Sequence, residues 1–426
     1  MIRCILLLLI VIGVAVPVSA QGAPLVAFLN SAGQLVVSSG DGGYRWIVTN
    51  PGEMLVQPFG YTWSPDGDRL AFAVSSGGAV SLRAASVGAQ SVSEIAQISS
   101  GQVMGGAWAG GSVLVSAGGQ IALLDTTSGA SAPVSEMGAV SSGYASARPN
   151  LPIPSALAGN FLLYQQGDGR YAVAARDGSF AQPLNLTNDF DAPQSGLWSP
   201  SAPLVAYWGY SGSSALAVTN AGSGATVQLD SGRSAPIPPL AWVGTRLIYR
   251  GADGLVRLAD LGCLTNNGCA GDELSRGSEL LPASADEVQT DGTWVFFLNG
   301  SAVQAVNLNC VGAGSCLSAA QTIGENAAPQ ARVHASGGTL VYTAYTSDPN
   351  NPNDREVRGV DLGCLNSGAC QPVTVLGGAV AGLVSPDGRY VIVEQLGSGL
   401  SSLDLASGNL AYLSDAGAPL LKARWN

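Results

Sequence analysis

One strand type returns nine times along this chain, and that return restricts the fold more than any other feature. It reads "LVAFLN" at Leu25–Asn30, "RLAFAV" at Arg69–Val74, "SVLVSA" at Ser112–Ala117, "FLLYQQ" at Phe161–Gln166 and "LVAYWG" at Leu204–Gly209. It continues as "RLIYRG" at Arg246–Gly251, "WVFFLN" at Trp294–Asn299, "TLVYTA" at Thr339–Ala344 and "YVIVEQ" at Tyr390–Gln395, with starts 42 to 51 residues apart. Two further β-rich runs follow most copies, and a short strand that often holds tryptophan (Trp63, Trp108, Trp198, Trp242) precedes them. No stretch has the 3.6-residue apolar period of a helix, whereas short alternating runs between turn residues read as strands. Four strands per unit make a sheet with two apolar faces, which only neighbouring units can cover. The reading is all-β: a closed β-propeller of four-stranded antiparallel blades.

The ends of the repeat argue for closure. The first unit lacks its tryptophan strand, and the chain ends "LLKARWN", with Trp425 where that tryptophan belongs. The last strand is therefore expected to complete the first blade, which removes open sheet edges. Nine units imply nine blades, with eight as the alternative should the third or fourth unit be degenerate. Residues 135–160 are the one long irregular stretch.

Residues 1–20 read as a secretory signal: Arg3, an apolar run Ile5–Val16, and Val18-Ser19-Ala20 before Gln21. The expectation is one domain over 21–426, exported to a bacterial periplasm or cell surface or secreted, monomeric, and with no membrane insertion after cleavage. A net charge of −11, with Lys422 the sole lysine, disfavours nucleic acid and anionic membranes, which need basic patches. With 57 glycines and 11% charged residues, the composition suits turns between apolar strands rather than helices.

Apart from Cys4, the cysteines form three local pairs, Cys263/Cys269, Cys310/Cys316 and Cys364/Cys370, each after a strand of one type. An even count in an exported chain reads as disulfides, paired within each unit. Zinc is the alternative, but the tight Cys spacings and histidines it takes are missing. The disulfides are expected to stiffen exposed turns rather than hold the ring.

"WSPDGDRLAF" (Trp63–Phe72) and "VSPDGRYVIV" (Val384–Val393) resemble the repeat of TolB-like propellers, relatives of the WD-repeat family. "LNLTNDFDAPQSGLWSP" (Leu184–Pro200) looks like the same family's link between blades, and Leu340–Gly363 is similar to its outer strand and Asx-rich turn. The other units match in strand pattern only, and the cysteine pairs are not part of that pattern. The resemblance implies protein or peptide binding at the ring mouth. Without any family, Ser-Pro-Asp-Gly is turn chemistry: Pro65 and Pro386 preset φ, Asp66 and Asp387 bond local backbone, and Gly67 and Gly388 supply positive φ.

No catalytic residue, cofactor or metal is assigned. His334 stands alone, and no nucleophile elbow or phosphate-binding loop is present. A glycosidase would need two acids about 5–9 Å apart; the loop acids Asp189, Asp191, Glu279, Asp286, Asp348 and Asp354 are the candidates. Binding is expected on the face holding the loops that follow "LVAYWG"-type strands, because those loops are longer and more varied. Tyr207, Trp208 and Tyr210 on one loop, with Tyr345, Asp348 and Asp354 on another, suit peptide or sugar stacking. The alternative for Tyr207 is strand core. Calcium on the Asx-rich loop is a lesser alternative, since the Asp-x-Asx-x-Asx-Gly spacing is absent. A protein- or peptide-binding scaffold is the first reading, a carbohydrate-binding propeller the second, a glycosidase the third.

Overall fold

A computed structural model describes residues 22–56, 60–98, 104–117, 120–133, 161–165, 171–175, 184–185, 196–210, 214–233, 240–266, 269, 277–311, 316–329, 331–420 and 423–426. The expected signal at 1–20 and the irregular stretch at 135–160 lie outside them. The described strands group into nine antiparallel sheets, one per repeat: seven of four strands, one of three and one of five. That is consistent with eight to nine blades. Among the described residues the only helical pieces are short 3-10 turns.

Each strand type forms because its apolar residues alternate across two faces that are both covered. In sheet 1, Leu25–Leu29 pairs with Leu35–Ser39, which pairs with Arg45–Ile47. Val26, Phe28 and Val36 pack toward the last sheet, while Ala27, Leu35 and Val37 pack toward sheet 2. Phe28, Phe72, Phe296 and Phe297 are fully buried this way, each worth about 1.5–3 kcal/mol against exposure.

Interfaces of the same kind join sheet 2 (Tyr61–Trp63, Met54–Leu55, Arg69–Ser76, Ala79–Ser86, Ser91–Ile98) to sheet 3 (Met104–Ala109, Ser112–Ala117, Gln120–Asp125, Ser131–Pro133). Sheet 4 (Phe161–Gln165, Tyr171–Ala175, Leu184–Asn185) packs on sheet 5 (Gly196–Trp198, Leu204–Tyr210, Ser214–Asn220, Thr226–Arg233). Sheet 6 comprises Ala241–Val243, Arg246–Arg250, Val256–Asp260 and Ser278–Leu281; sheet 7 comprises Ala285–Thr290, Trp294–Asn299, Ala302–Asn307 and Gln321–Gly324. Sheet 8 holds Val333–Ser336, Thr339–Tyr345, Arg355–Asp361 and Val373–Gly377; sheet 9 holds Ala379–Val384, Tyr390–Gln395, Gly399–Asp404 and Leu410–Ser414. Continuous clusters link 5 to 6, 6 to 7, 7 to 8 and 8 to 9.

The ring closes as the termini imply. Arg424–Trp425 supplies the first, innermost strand of sheet 1, before Leu25–Leu29, with Trp425 opposite Val26 and Arg424 opposite Ala27. Asn426 N donates to Leu25 O at 2.9 Å, and Leu25 N donates to the Asn426 side-chain oxygen at 2.9 Å.

The tryptophans show which strand is innermost. Trp425 Nε1 donates to Leu383 O of sheet 9 at 2.9 Å, Trp63 Nε1 to Arg424 O of sheet 1 at 3.2 Å, and Trp242 Nε1 to Leu197 O of sheet 5 at 3.0 Å. First strands of neighbouring sheets reach one another like this only near the axis. The last strands carry exposed Ile47, Val92, Val373, Leu410 and Tyr412 at the outer rim.

Candidate functional site

In an antiparallel sheet the turns alternate ends, so the ring has two faces. One holds the connections between first and second strands and between third and fourth strands. Its turns use their side chains as the Ser-Pro-Asp-Gly pattern leads one to expect. Ser64 Oγ donates to Asp66 Oδ1 and Ser385 Oγ to Asp387 Oδ1, both at 2.5 Å, while Gly67 and Gly388 hold φ of 72° and 73°. Arg389 N also donates to Asp387 Oδ1, at 3.1 Å.

On this face, over the seam between sheets 9 and 1, lies a hollow of about 930 Å³. The start of the described chain (Gly22–Pro24) and Asn426 form one wall, with Asp41, Asp387, Arg389, Tyr390, Asp404 and Leu410 among the rest of the lining. Arg389 is its central charge. Its Nη2 donates to Asp404 Oδ2 at 2.9 Å, its guanidinium carbon lies 5.0 Å from the Tyr390 ring centroid, and its side chain is 55% exposed. Tyr390 is buried and lies 6.4 Å from the Trp425 ring, so the seam strand forms part of the floor. Gly40 allows the facing turn to lie against that ring: a Cβ there would come within 2.9 Å of it.

Two of the hollow's carboxylates, Asp41 and Asp404, are held below the usual carboxylate range. Ser39 Oγ donates to Asp41 Oδ1 at 2.5 Å and Gly43 N at 2.9 Å, and these bonds, the hydroxyl first, lower the Asp41 pKa. Burial by itself would raise Asp404, but Arg389 and the N–H groups of Ala406 and Ser407 outweigh it and hold the group low. A second hollow of about 580 Å³ shares Gly22, Ala23, Asp41 and Asn426 and continues to Asp68 and Val87–Gln90 of sheet 2. Arg389 is the one cation among the residues lining these two hollows.

The residues singled out in the sequence are placed differently. Tyr207 is 3% exposed, packed with Trp198 and Val205, and its hydroxyl lies 3.1 Å from Thr219 Oγ1, so it takes the core alternative. Trp208 and Tyr210 lie opposite Leu216 and Ser214 on the same strand; their side chains are outside the described residues. Tyr345 is half-buried at a strand end, and in the turn that follows Asp348 is exposed and Asp354 half-buried. There, Asp354 Oδ2 accepts Asp348 N at 2.5 Å, Ser347 N at 2.7 Å and Ser347 Oγ at 2.8 Å, and these bonds, the Asp348 N–H first, lower its pKa. Asp348 Oδ1 accepts Asn350 N at 2.9 Å. Sheets 6 and 7 separate this turn from Tyr207–Tyr210, so the two groups do not share one loop cluster.

Of the six candidate acids, Asp189 and Asp191 lie outside the described residues. Glu279 stands 3.8 Å from Arg257 Nη2, and Asp286 is exposed on a first strand. None of the four described acids lines either seam hollow or another of about 240 Å³, formed by Asp230, Ser231, Tyr249, Ala252, Asp253, Arg257 and Leu229. Among the described residues no three His, Cys, Asp or Glu side chains are grouped to hold a metal. His334 is packed on the first strand of sheet 8, its pKa pushed down to about 4 by burial and by Arg332. Sequence reasoning missed Asp41, Arg389, Tyr390 and Asp404. The closure it did infer was the available signal, since closure alone brings turns from the two chain ends together.

The three cysteine pairs are disulfides, Cys263–Cys269, Cys310–Cys316 and Cys364–Cys370. They are not simply exposed turns: Cys316 is 1% exposed, and the others for which burial is described are half-buried.

The molecule is thus a β-propeller with a polar hollow across its closure seam. No protein-family model matches the chain, and no curated protein matches it. Among solved structures, a eukaryotic initiation factor matches over 96% of this chain and 98% of its own, at 11% identity and a TM-score of 0.61. TolB from Acinetobacter baumannii matches over 56% of this chain and 61% of its own, at 15% identity and a TM-score of 0.35. The dihydro-heme d1 dehydrogenase NirN matches over 94% of this chain and 74% of its own, at 17% identity and a TM-score of 0.42. The full-length likeness to the initiation factor gives the fold, a β-propeller, and nothing about the role.

Proposed function

We propose that this chain is a non-enzymatic binding module, working outside the cytoplasm, that takes an extended protein or peptide segment across the seam hollows. One observation carries the reading: the seam hollow of about 930 Å³ is walled by turn backbone and by carboxylates already engaged as acceptors, with an exposed arginine among them. Carboxylates held low are suited to accept hydrogen bonds and to pair with cations. They are not set up as the proton-donating acid a glycosidase requires. A partner segment bearing lysine, arginine or a free amine would find Asp41, Asp387 and Asp404, and its backbone carboxylate or carbonyl groups would find Arg389. The three disulfides support a location outside the reducing cytoplasm, and among the described residues no helix is long and apolar enough to cross a membrane.

Selection of displayed peptides on the mature protein tests this. Peptides that bind the wild type and lose at least tenfold in affinity on Asp41→Asn/Arg389→Gln support the seam site. Peptides insensitive to that change but lost on Trp208→Ala/Tyr210→Ala place binding on the opposite face, and capture of oligosaccharides in preference to peptides replaces the reading with the lectin one.

A further inference from the structure

Sheets 6, 7 and 8 share a construction that the other described sheets lack. After the third strand of each, the chain enters a 3-10 turn closed by a disulfide: Gly262–Asn266 with Cys263–Cys269, Leu308–Cys310 with Cys310–Cys316, and Leu362–Asn366 with Cys364–Cys370. Every one of these turns sends leucine inward. Leu261 and Leu264, 0% and 2% exposed, enter the cluster between sheets 5 and 6 beside Leu204 and Val218. Leu308 and Cys316 enter the cluster between sheets 6 and 7 with Val256 and Leu258. Leu362 and Leu365 enter the cluster between sheets 7 and 8 with Phe296 and Ala305. Half-buried sulfurs sit on the same clusters: Cys269 on the first, Cys310 on the second, Cys364 and Cys370 on the third. The first loop is also tied across the joint, Asn220 Nδ2 of sheet 5 donating to Leu264 O at 2.8 Å.

A 3-10 turn of three to five residues has poor hydrogen-bond geometry and little stability of its own. Held in place, its leucines gain burial between two sheets. Released, the loop regains backbone freedom, an entropy gain that competes with that burial. A six-residue crosslink removes most of the released conformers. We propose that the three disulfides are locks on leucine wedges, so that a dithiol reductant loosens the arc of sheets 5 to 8 while the seam between sheets 9 and 1 stays closed. In each lock one reductant thiolate attacks a cystine sulfur, and its second thiol resolves the mixed disulfide. The S–S bond breaks to two protein thiols, gaining two electrons and two protons, and the reductant leaves as a cyclic disulfide. Because Cys316 is buried, attack on the sheet 7 lock is confined to Cys310, so this lock opens last. The seam joint holds no cysteine; Trp425, Asn426 and Arg45, whose Nη1 donates to Leu413 O at 2.5 Å, hold it in either state.

The test is hydrogen exchange of the full mature chain, oxidised and in dithiothreitol. Reduction is expected to raise exchange about tenfold or more in Leu204–Asn220, Arg246–Asp260, Trp294–Asn307 and Thr339–Asp361, with less than twofold change in Leu25–Ser39, Arg69–Ser86 and Tyr390–Asp404. In the oxidised protein Leu264→Ala should loosen the joint of sheets 5 and 6, and Leu365→Ala that of 7 and 8. The proposal is overturned if reduction raises exchange only inside the disulfide loops, if it raises exchange evenly round the ring, or if the leucine variants leave their joints protected. Reduction of wild type needs no variant to fold, so the readout survives a failed substitution.

Discussion

Two devices, an indole near the axis and a disulfide-locked leucine wedge, distinguish the described joints between sheets. Opposite the second residue of each second strand stands Trp425 in sheet 1, Trp63 in sheet 2, Trp108 in sheet 3, Trp198 in sheet 5 and Trp242 in sheet 6. The same register position holds Thr290, Ala335 and Val384 in sheets 7, 8 and 9. In sheets 1, 2 and 6 the indole N–H ties neighbouring first strands near the axis. Where it is missing, between sheets 6 and 7 and between 7 and 8, a disulfide-locked leucine wedge fills the joint from one face. The joint of sheets 5 and 6 has both devices, and that of 8 and 9 has neither. This last joint is held by Val341, Val357, Val391 and Val393 and by Ala381 N donating to Thr343 Oγ1 at 2.9 Å. A ring can therefore keep one architecture while its joints differ chemically, and only one class of joint answers to redox conditions.

Several substitutions would break or sharpen that division. Trp242→Ala removes a nearly buried indole and its hydrogen bond, and should cost about 3–5 kcal/mol in denaturant unfolding. A loss below about 1 kcal/mol would remove the indole joint from the account. Leu365→Ala should cost about 2–4 kcal/mol with the disulfide intact; a neutral result would make the wedge ornamental. His334 gives the arc without indoles a pH signature. Its folded pKa near 4 lies below the ordinary 6.5, so between these values the unfolded chain binds the extra proton. Stability from this group is fully present above pH 6.5 and falls as pH drops to about 4, by roughly 2–3 kcal/mol, a slope that His334→Gln should remove. The smallest effect separates two tryptophans. Trp108 Nε1 has no acceptor among the described residues, so Trp108→Phe should cost about 0.5 kcal/mol or less for its N–H, against about 1 kcal/mol for Trp242→Phe.

The parts of this molecule that were legible in the sequence are those written locally or at its ends. The returning strand, the Ser-Pro-Asp-Gly turns, the pairing of cysteines six residues apart and the place of Trp425 each depend on near neighbours or on the repeat itself. The wedges were not legible, because Leu264 and Leu365 lie in stretches that read as loops and their burial is decided by the preceding sheet. Asp354 looked like a ligand group from its Asx-rich surroundings, but its own turn takes one carboxylate oxygen three times over. Tyr207 lost its place in a surface site because period-two alternation puts it on the face toward sheet 4. The seam hollow needs Asp41 and Arg389 in one lining, from opposite ends of the chain, and that follows only after closure is carried through to a particular face.

The central claim is that residues 424–426 close the ring and so build the hollow. Hydrogen exchange and binding of the selected peptides, measured on a chain ending at Ala423, test it most directly. The account predicts lost protection in Leu25–Leu29 and Ala379–Val384, lost peptide binding, and unchanged protection in sheets 5 to 8. Full protection of Leu25–Leu29 with peptide affinity intact would contradict it.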